Sequence, residues 1–201
     1  MFIDTPASEP ADPTVAAAYQ AATAQFGFLP NWALAFGGRP AVLEAWQRLN
    51  VSIRDGMDRR RYELATIAAA QRLSSTYCTL AHSWMLSERL NLIGTDELGS
   101  ILTDRASAPA LSEVDRAVMD FADQVAGDAS GITEGDVARL RGLGLSDTDV
   151  LDVALAAAAR CFFAKVLDAV GAEADPELAE AVGPELTAAA TLGRPVQPVD
   201  D

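Results

Sequence analysis

The sequence predicts an all-α protein, a multi-helix bundle, and three observations predict it. Half of the 201 residues are apolar but only 6% are aromatic. The core is therefore mostly Ala, Leu and Val, and an Ala-rich, Ile-poor chain favours helix. Helix-start signals recur along the chain, as a capping residue followed by proline or by a carboxylate three places on. No stretch alternates apolar and polar residues between hairpin turns, and no sequence repeat is evident.

Punctuation sets the elements in order. Asp12-Pro13 supplies an N-cap and an N1 proline for a helix to about Gln25. A turn over Gly27–Asn31 leads to a short helix around Trp32, ended by Gly37-Gly38. Pro40 opens a helix carrying Val42, Leu43, Trp46 and Leu49, and Gly56 ends it. Asp58 caps the next, which holds Glu63, Ile67 and Ala70. After a break at Ser74-Ser75, a helix containing Cys78 and His82 runs to about Leu90, and Thr95 caps a short one to about Leu102. Trp84, Met85 and Leu86 read as core or subunit contacts. Residues 103–111, with Pro109, form the best internal linker. Capping boxes pair Ser112 with Asp115, Thr133 with Asp136 and Ser146 with Asp149; the last opens a long helix to about Val170. Asp175-Pro176 starts a final helix, and 192–198 is an extended tail. The expected organisation is an N-terminal tail over 1–12, one helical domain over 13–175, and a C-terminal helix and tail over 176–201.

Charge narrows the partners. The net charge of −14 argues against nucleic acid, whose phosphates need a basic footprint, and against an anionic membrane surface. The longest apolar stretch, 150–170, is interrupted by Asp152, Arg160, Lys165 and Asp168, which excludes a lipid-crossing helix there. Met1–Asp4 has no basic and apolar signal pattern, so a cytoplasmic location with reduced thiols is expected. The two cysteines lie 83 residues apart and do not read as a secreted disulfide framework.

One constellation carries chemistry. His82, the only histidine, follows Cys78 by four residues, so imidazole and thiol share a helix face. Ser75 precedes Cys78 by three on that face. A thiol attacks as the thiolate, and a helix N-terminus or a neighbouring base favours that form. Ser74 or Ser75 reads as the N-cap, which puts Cys78 in the first turn. The plainer readings stand beside this one: a lone Cys in an Ala-rich helix is commonly a buried hydrophobe, a lone His a structural residue, and Glu63 an exposed helix glutamate. Cys78, His82 and Glu63 could form a metal site, but the chain has only one further Cys and no further His, so no metal is expected. Ser75 and His82 lie about 10 Å apart along a helix axis, too far for a direct nucleophile–base pair. No nucleophile elbow, P-loop or dinucleotide fingerprint is present, and no cofactor is expected.

The spacing Glu63, eleven residues, Ser75-Thr76-Tyr77-Cys78, three residues, His82 resembles the redox motif Glu-x11-Cys-x2-Cys-x3-His. That motif marks the alkylhydroperoxidase D-like branch of the carboxymuconolactone decarboxylase family. Phe26-Gly27-Phe28-Leu29-Pro30-Asn31 with Arg39-Pro40 resembles the N-terminal region of its peroxidase-related members, and Leu111–Gly171 their helical C-terminal half. The resemblance spans roughly residues 13–175, and Ser75 stands where the family has its first cysteine.

The resemblance implies an alkylhydroperoxidase D-like bundle and a thiol-dependent, antioxidant peroxidase. Cys78 would attack the peroxide, and Glu63 and His82 would relay protons. Serine closes no disulfide, so resolution would fall to Cys161 or to an external thiol reductant. The alternatives are a lyase or decarboxylase on a lactone-like substrate, with Glu63 and His82 as acid and base, and a catalytically degenerate helical binding protein. A homo-oligomer, at least a dimer, is expected from the resemblance and from apolar faces that a bundle of this size leaves uncovered.

Overall fold

The computed structural model describes residues 1–198; the last three residues of the expected tail lie outside it. Among the described residues the helices are Pro13–Phe26 (α1), Asn31–Phe36 (α2), Pro40–Asp55 (α3), Arg59–Arg72 (α4), Thr76–Trp84 (α5), Thr95–Thr103 (α6), Glu113–Asp128 (α7), Glu134–Gly142 (α8), Asp147–Ala169 (α9), Pro176–Val182 (α10) and Pro184–Ala190 (α11). The described residues contain no strand, only an isolated bridge between Ala174 and Val196.

Helix α4 is the axis of the bundle, packed against α5, α7 and α9. Tyr62 to Ala70 is an unbroken buried run, and a helix buried on every face belongs in the interior. Ala65, Ala68, Ala69 and Ala70 are fully buried, so the neighbouring helices approach closely. Glu63 lies inside this run, a carboxyl group at the centre of the molecule. α1 and α2 pack on α3, and α3 packs on α9. α10 and α11 close the α5 side.

At the starts of α1, α4, α7, α8 and α9 the capping signals act as the sequence indicates. Asp12 accepts from the Thr14 N–H at 2.7 Å and Asp58 from the Arg61 N–H at 2.9 Å. Ser112 and Asp115 exchange bonds of 3.0 Å, and Ser146 and Asp149 bonds of 2.8 and 3.1 Å. The Thr133 N–H donates to Asp136 at 2.8 Å.

Three boundaries differ. Thr95 is the first helical residue of α6 rather than its cap; the Gly94 N–H donates to Glu97 at 3.2 Å instead. The helix from Cys78 does not continue unchanged to Leu90, because Met85–Arg89 widens into a π-helical turn. The expected last helix is two: Gly183 adopts φ 83°, and Pro184 has no N–H to continue α10. The tail is fastened across the start of α5. The Leu192 and Gly193 N–H groups donate to Thr76 Oγ1 at 3.1 and 2.9 Å, and that of Gln197 to the Ala174 carbonyl at 2.9 Å. The 103–111 stretch is packed down too: Ala108 and Leu111 are buried, and Arg60 and Arg116 donate to the Ala110 and Ala108 carbonyls at 2.7 and 2.6 Å. Among the described residues no helix is long and apolar enough to cross a membrane.

Candidate functional site

The site is built where α4 turns into α5. Ser74 takes left-handed φ 56°, and the Ser75 N–H returns to the Ala70 carbonyl at 3.0 Å. The reversal lays α5 against α4 and leaves Ser75 at the N-cap position with extended backbone. Cys78 therefore sits in the first turn of α5, with His82 one turn further on. This antiparallel pairing brings Glu63 of α4 to His82 of α5.

Glu63, Cys78 and His82 line one cavity of about 110 Å³. His82 Nδ1 is hydrogen-bonded to Glu63 Oε2, and Arg59 Nη2 lies 2.7 Å from Glu63 Oε1. The fully buried carboxylate is thus hydrogen-bonded through Oε2 and ion-paired through Oε1, which makes no hydrogen bond among the described residues. A carboxylate has no proton to donate, so the ring proton sits on Nδ1 and Nε2 is left as a bare acceptor. Burial, then the field of Arg160, pushes the His82 pKa below its ordinary value; Glu63 opposes them. The imidazole is accordingly uncharged at neutral pH.

Arg160 of α9 completes the cavity, and the sequence pattern does not single it out as a site residue. It is 4% exposed, and its Nη1 donates to Cys78 Sγ at 3.5 Å. Its guanidinium lies 5.4 Å over the Phe163 ring. Burial disfavours its charge, but Cys78, Tyr62 and Glu63 outweigh that and hold its pKa above the ordinary value. Among the described residues no carboxylate lies within ion-pair distance of it, and its buried Nε has no hydrogen-bond partner. The available signal was a lone arginine after the run Ala156–Ala159, visible in the sequence but naming no partner.

The other expected residues fall elsewhere. Ser75 is fully buried but does not line the cavity, and its hydroxyl caps nothing. Cys161 is half-buried, burial raises its thiol pKa, and it does not line the cavity either. Among the described residues no three His, Cys, Asp or Glu side chains converge on a common point that would suit a metal.

Behind the cavity wall, the Tyr77 hydroxyl donates to Asp175 Oδ2 and accepts from the Trp32 N–H at 3.1 Å. The Asn31 N–H donates to Asp175 Oδ1 at 2.7 Å. Asp175 is 3% exposed, and burial pushes its pKa up to about 6 despite these donors. Burial, with Asp175 beside it, raises the Tyr77 pKa well above ordinary.

No family model matches the chain, and no curated protein matches it by sequence. Solved structures do match it by shape, and they give it the alkylhydroperoxidase D core fold. The alkylhydroperoxidase core of a peroxidase-related protein from Ralstonia eutropha JMP134 superposes with a TM-score of 0.79 at 20% identity, covering 88% of this chain and 93% of that one. A peroxidase-related protein from Silicibacter sp. TM1040 gives 0.74 at 22% identity, covering 85% and 90%. The debrominase Bmp8, as a cysteine-to-alanine variant bound to 2,3,4-tribromopyrrole, gives 0.74 at 17% identity, covering 89% and 94%.

Proposed function

We propose that the protein is a thiol-dependent, peroxidase-like oxidoreductase working through the single thiol of Cys78. The observation that carries this reading is Arg160: a buried cation with no carboxylate in ion-pair range among the described residues, donating to the Cys78 sulfur. An uncompensated buried charge is costly, and a thiolate at that sulfur compensates it. His82 Nε2 takes the thiol proton while Glu63 and Arg59 hold the ring in place. The thiolate sulfur attacks the peroxide, the O–O bond breaks, and the sulfur becomes a sulfenic acid. The leaving alkoxide takes its proton from the imidazolium. A thiol reductant then condenses with the sulfenic acid, releasing water, and a second thiol frees Cys78. This external route is required because Ser75 forms no disulfide and Cys161 lies outside the cavity.

The test is peroxide consumption with a small dithiol, with the sulfenic acid trapped at Cys78 by dimedone. Wild type should turn over and label; Cys78→Ala should do neither. A lyase using only Glu63 and His82 would keep its activity in Cys78→Ala. One structural neighbour is a debrominase, so a brominated pyrrole belongs in the substrate panel. Unlabelled Cys78 with equal turnover in wild type and variant would overturn the peroxidase reading.

A further inference from the structure

We infer that the cavity takes an organic anion, an aromatic body carrying a carboxylate, with Arg160 seating the acid group beside the Cys78 sulfur. The inference rests on the peroxidase reading for the identity of the reacting group: the substrate would be a carboxylate-bearing organic hydroperoxide.

The first observation is the unused edge of Arg160. One nitrogen, Nη1, holds the sulfur at 3.5 Å. Nε, on the opposite edge, is buried with no partner. Planar guanidinium edges match carboxylate oxygens in pairs, and such charge-assisted pairs are stronger than neutral hydrogen bonds. An oxyanion on the Nε–Nη2 edge, admitted by a small shift of the guanidinium because Nε is buried, would give the orphaned donor a partner and leave the sulfur on Nη1.

The second observation is local charge. The chain carries a net charge of −14, yet three arginines, Arg54, Arg59 and Arg160, line the cavity against one carboxylate, Glu63. Glu63 is already held by Arg59 at 2.7 Å, and Arg54 by Asp55 at 2.9 Å. Arg160 alone of the three has no carboxylate partner among the described residues. While Cys78 is a neutral thiol the Arg160 charge is uncompensated, and a cationic spot in a low-dielectric cavity draws an anion more strongly than the same charge in water.

The third observation is the wall. Trp46 stacks on Phe163 with centroids 5.0 Å apart, Trp32 lies 6.1 Å from Phe163, and Phe26 lies 5.8 Å from Trp32. These side chains give the cavity an apolar aromatic wall for a planar body to pack against while Arg160 holds its acid group. The enclosed space is of the order of the ~150 Å³ apolar cavity that takes a benzene ring.

The experiment is ligand binding to the full, reduced chain, read by quenching of the cavity tryptophans. Benzoate should bind saturably, and neutral benzamide at least about tenfold more weakly. Arg160→Gln should lose the preference, and Arg160→Lys should restore part of it by charge without the paired geometry. Equal binding of benzoate and benzamide to wild type would overturn the inference, whatever the variants do. So would a preference unchanged in a folded Arg160→Gln. A kinetic arm compares cumene hydroperoxide with its ortho-carboxylate, which keeps acid group and peroxide on one side of the ring; the carboxylate should have a KM at least about tenfold lower. Turnover without benzoate preference would sink the anion seat alone. Benzoate preference without turnover would sink the peroxidase reading and leave the seat standing.

Discussion

His82 is the only histidine, so its titration can be followed by NMR without ambiguity. Arg160 presses its pKa down and Glu63 holds it up. Arg160→Gln should therefore raise the titration midpoint and Glu63→Gln lower it; a midpoint indifferent to both would remove the electrostatic basis of the base. Because the folded pKa lies below the unfolded one, near 6.5, the contribution of His82 to stability is full above about pH 6.5. It is lost as pH falls through the folded value, and activity that needs the neutral ring should fall over that same acidic range. His82→Gln should cost about 10²–10⁴ in turnover, the usual range for a lost general base. Ser75 gives a gain-of-function test. It sits at the N-cap, three residues before Cys78 in the first turn. Ser75→Cys should create a bridge-forming pair under oxidant and increase turnover with a dithiol. Mass spectrometry that finds no Ser75→Cys bridge to Cys78 would show that this turn does not support the two-thiol cycle.

At the scale of elements, the tie between α2, α5 and α10 is the sharpest target. Asp175 receives the Tyr77 hydroxyl and the Asn31 N–H, and its pKa is raised to about 6. A raised carboxyl pKa means the folded state holds the proton more tightly, so this group's contribution is present at low pH and is lost as pH rises through about 6. Asp175→Asn abolishes that titration. Between pH 5 and 8 the variant should gain on wild type by about 1–2 kcal/mol in urea unfolding; a gap constant with pH would contradict the assignment. The same elements show which parts of the structure were legible. Asp12, Asp58, Ser112 and Ser146 announce their helices because a cap is a local hydrogen bond between near neighbours. The π-helical turn at Met85–Arg89 has no such local code, and Gly183-Pro184 divides what Asp175-Pro176 predicts as one helix. Glu63, Cys78 and His82 were legible through spacing, and the fold places all three on one cavity. Arg160 and Asp175 were not, because their partners lie 82 and 98 residues away and only packing brings them together.

The whole molecule presents an apolar groove between α3 and α9. Leu49 is 52% exposed, Leu155 40% and Phe162 45%, and the groove of about 500 Å³ is also lined by Val42, Trp46 and Ile53. Leu151, exposed on the same helix α9, extends the uncovered apolar surface. An uncovered apolar surface is a candidate for association, and a second copy of the chain is the occupant expected from the family resemblance. Trp46 belongs both to this groove and to the wall of the cavity, so a copy seated here would brace the site from outside. Charge sets the conditions. Two chains of net charge −14 repel each other, and salt screens that repulsion while leaving apolar burial in place. A dimer formed through this face should therefore tighten as salt rises from about 10 mM, where screening extends to some 30 Å, to about 150 mM, where it is about 8 Å. Leu155→Glu, at a half-exposed position in the groove, should give a folded monomer at all salt concentrations. Light scattering decides: a wild-type mass near 21.2 kDa at micromolar concentration in 150 mM salt, about the physiological value, would show that this face stays uncovered.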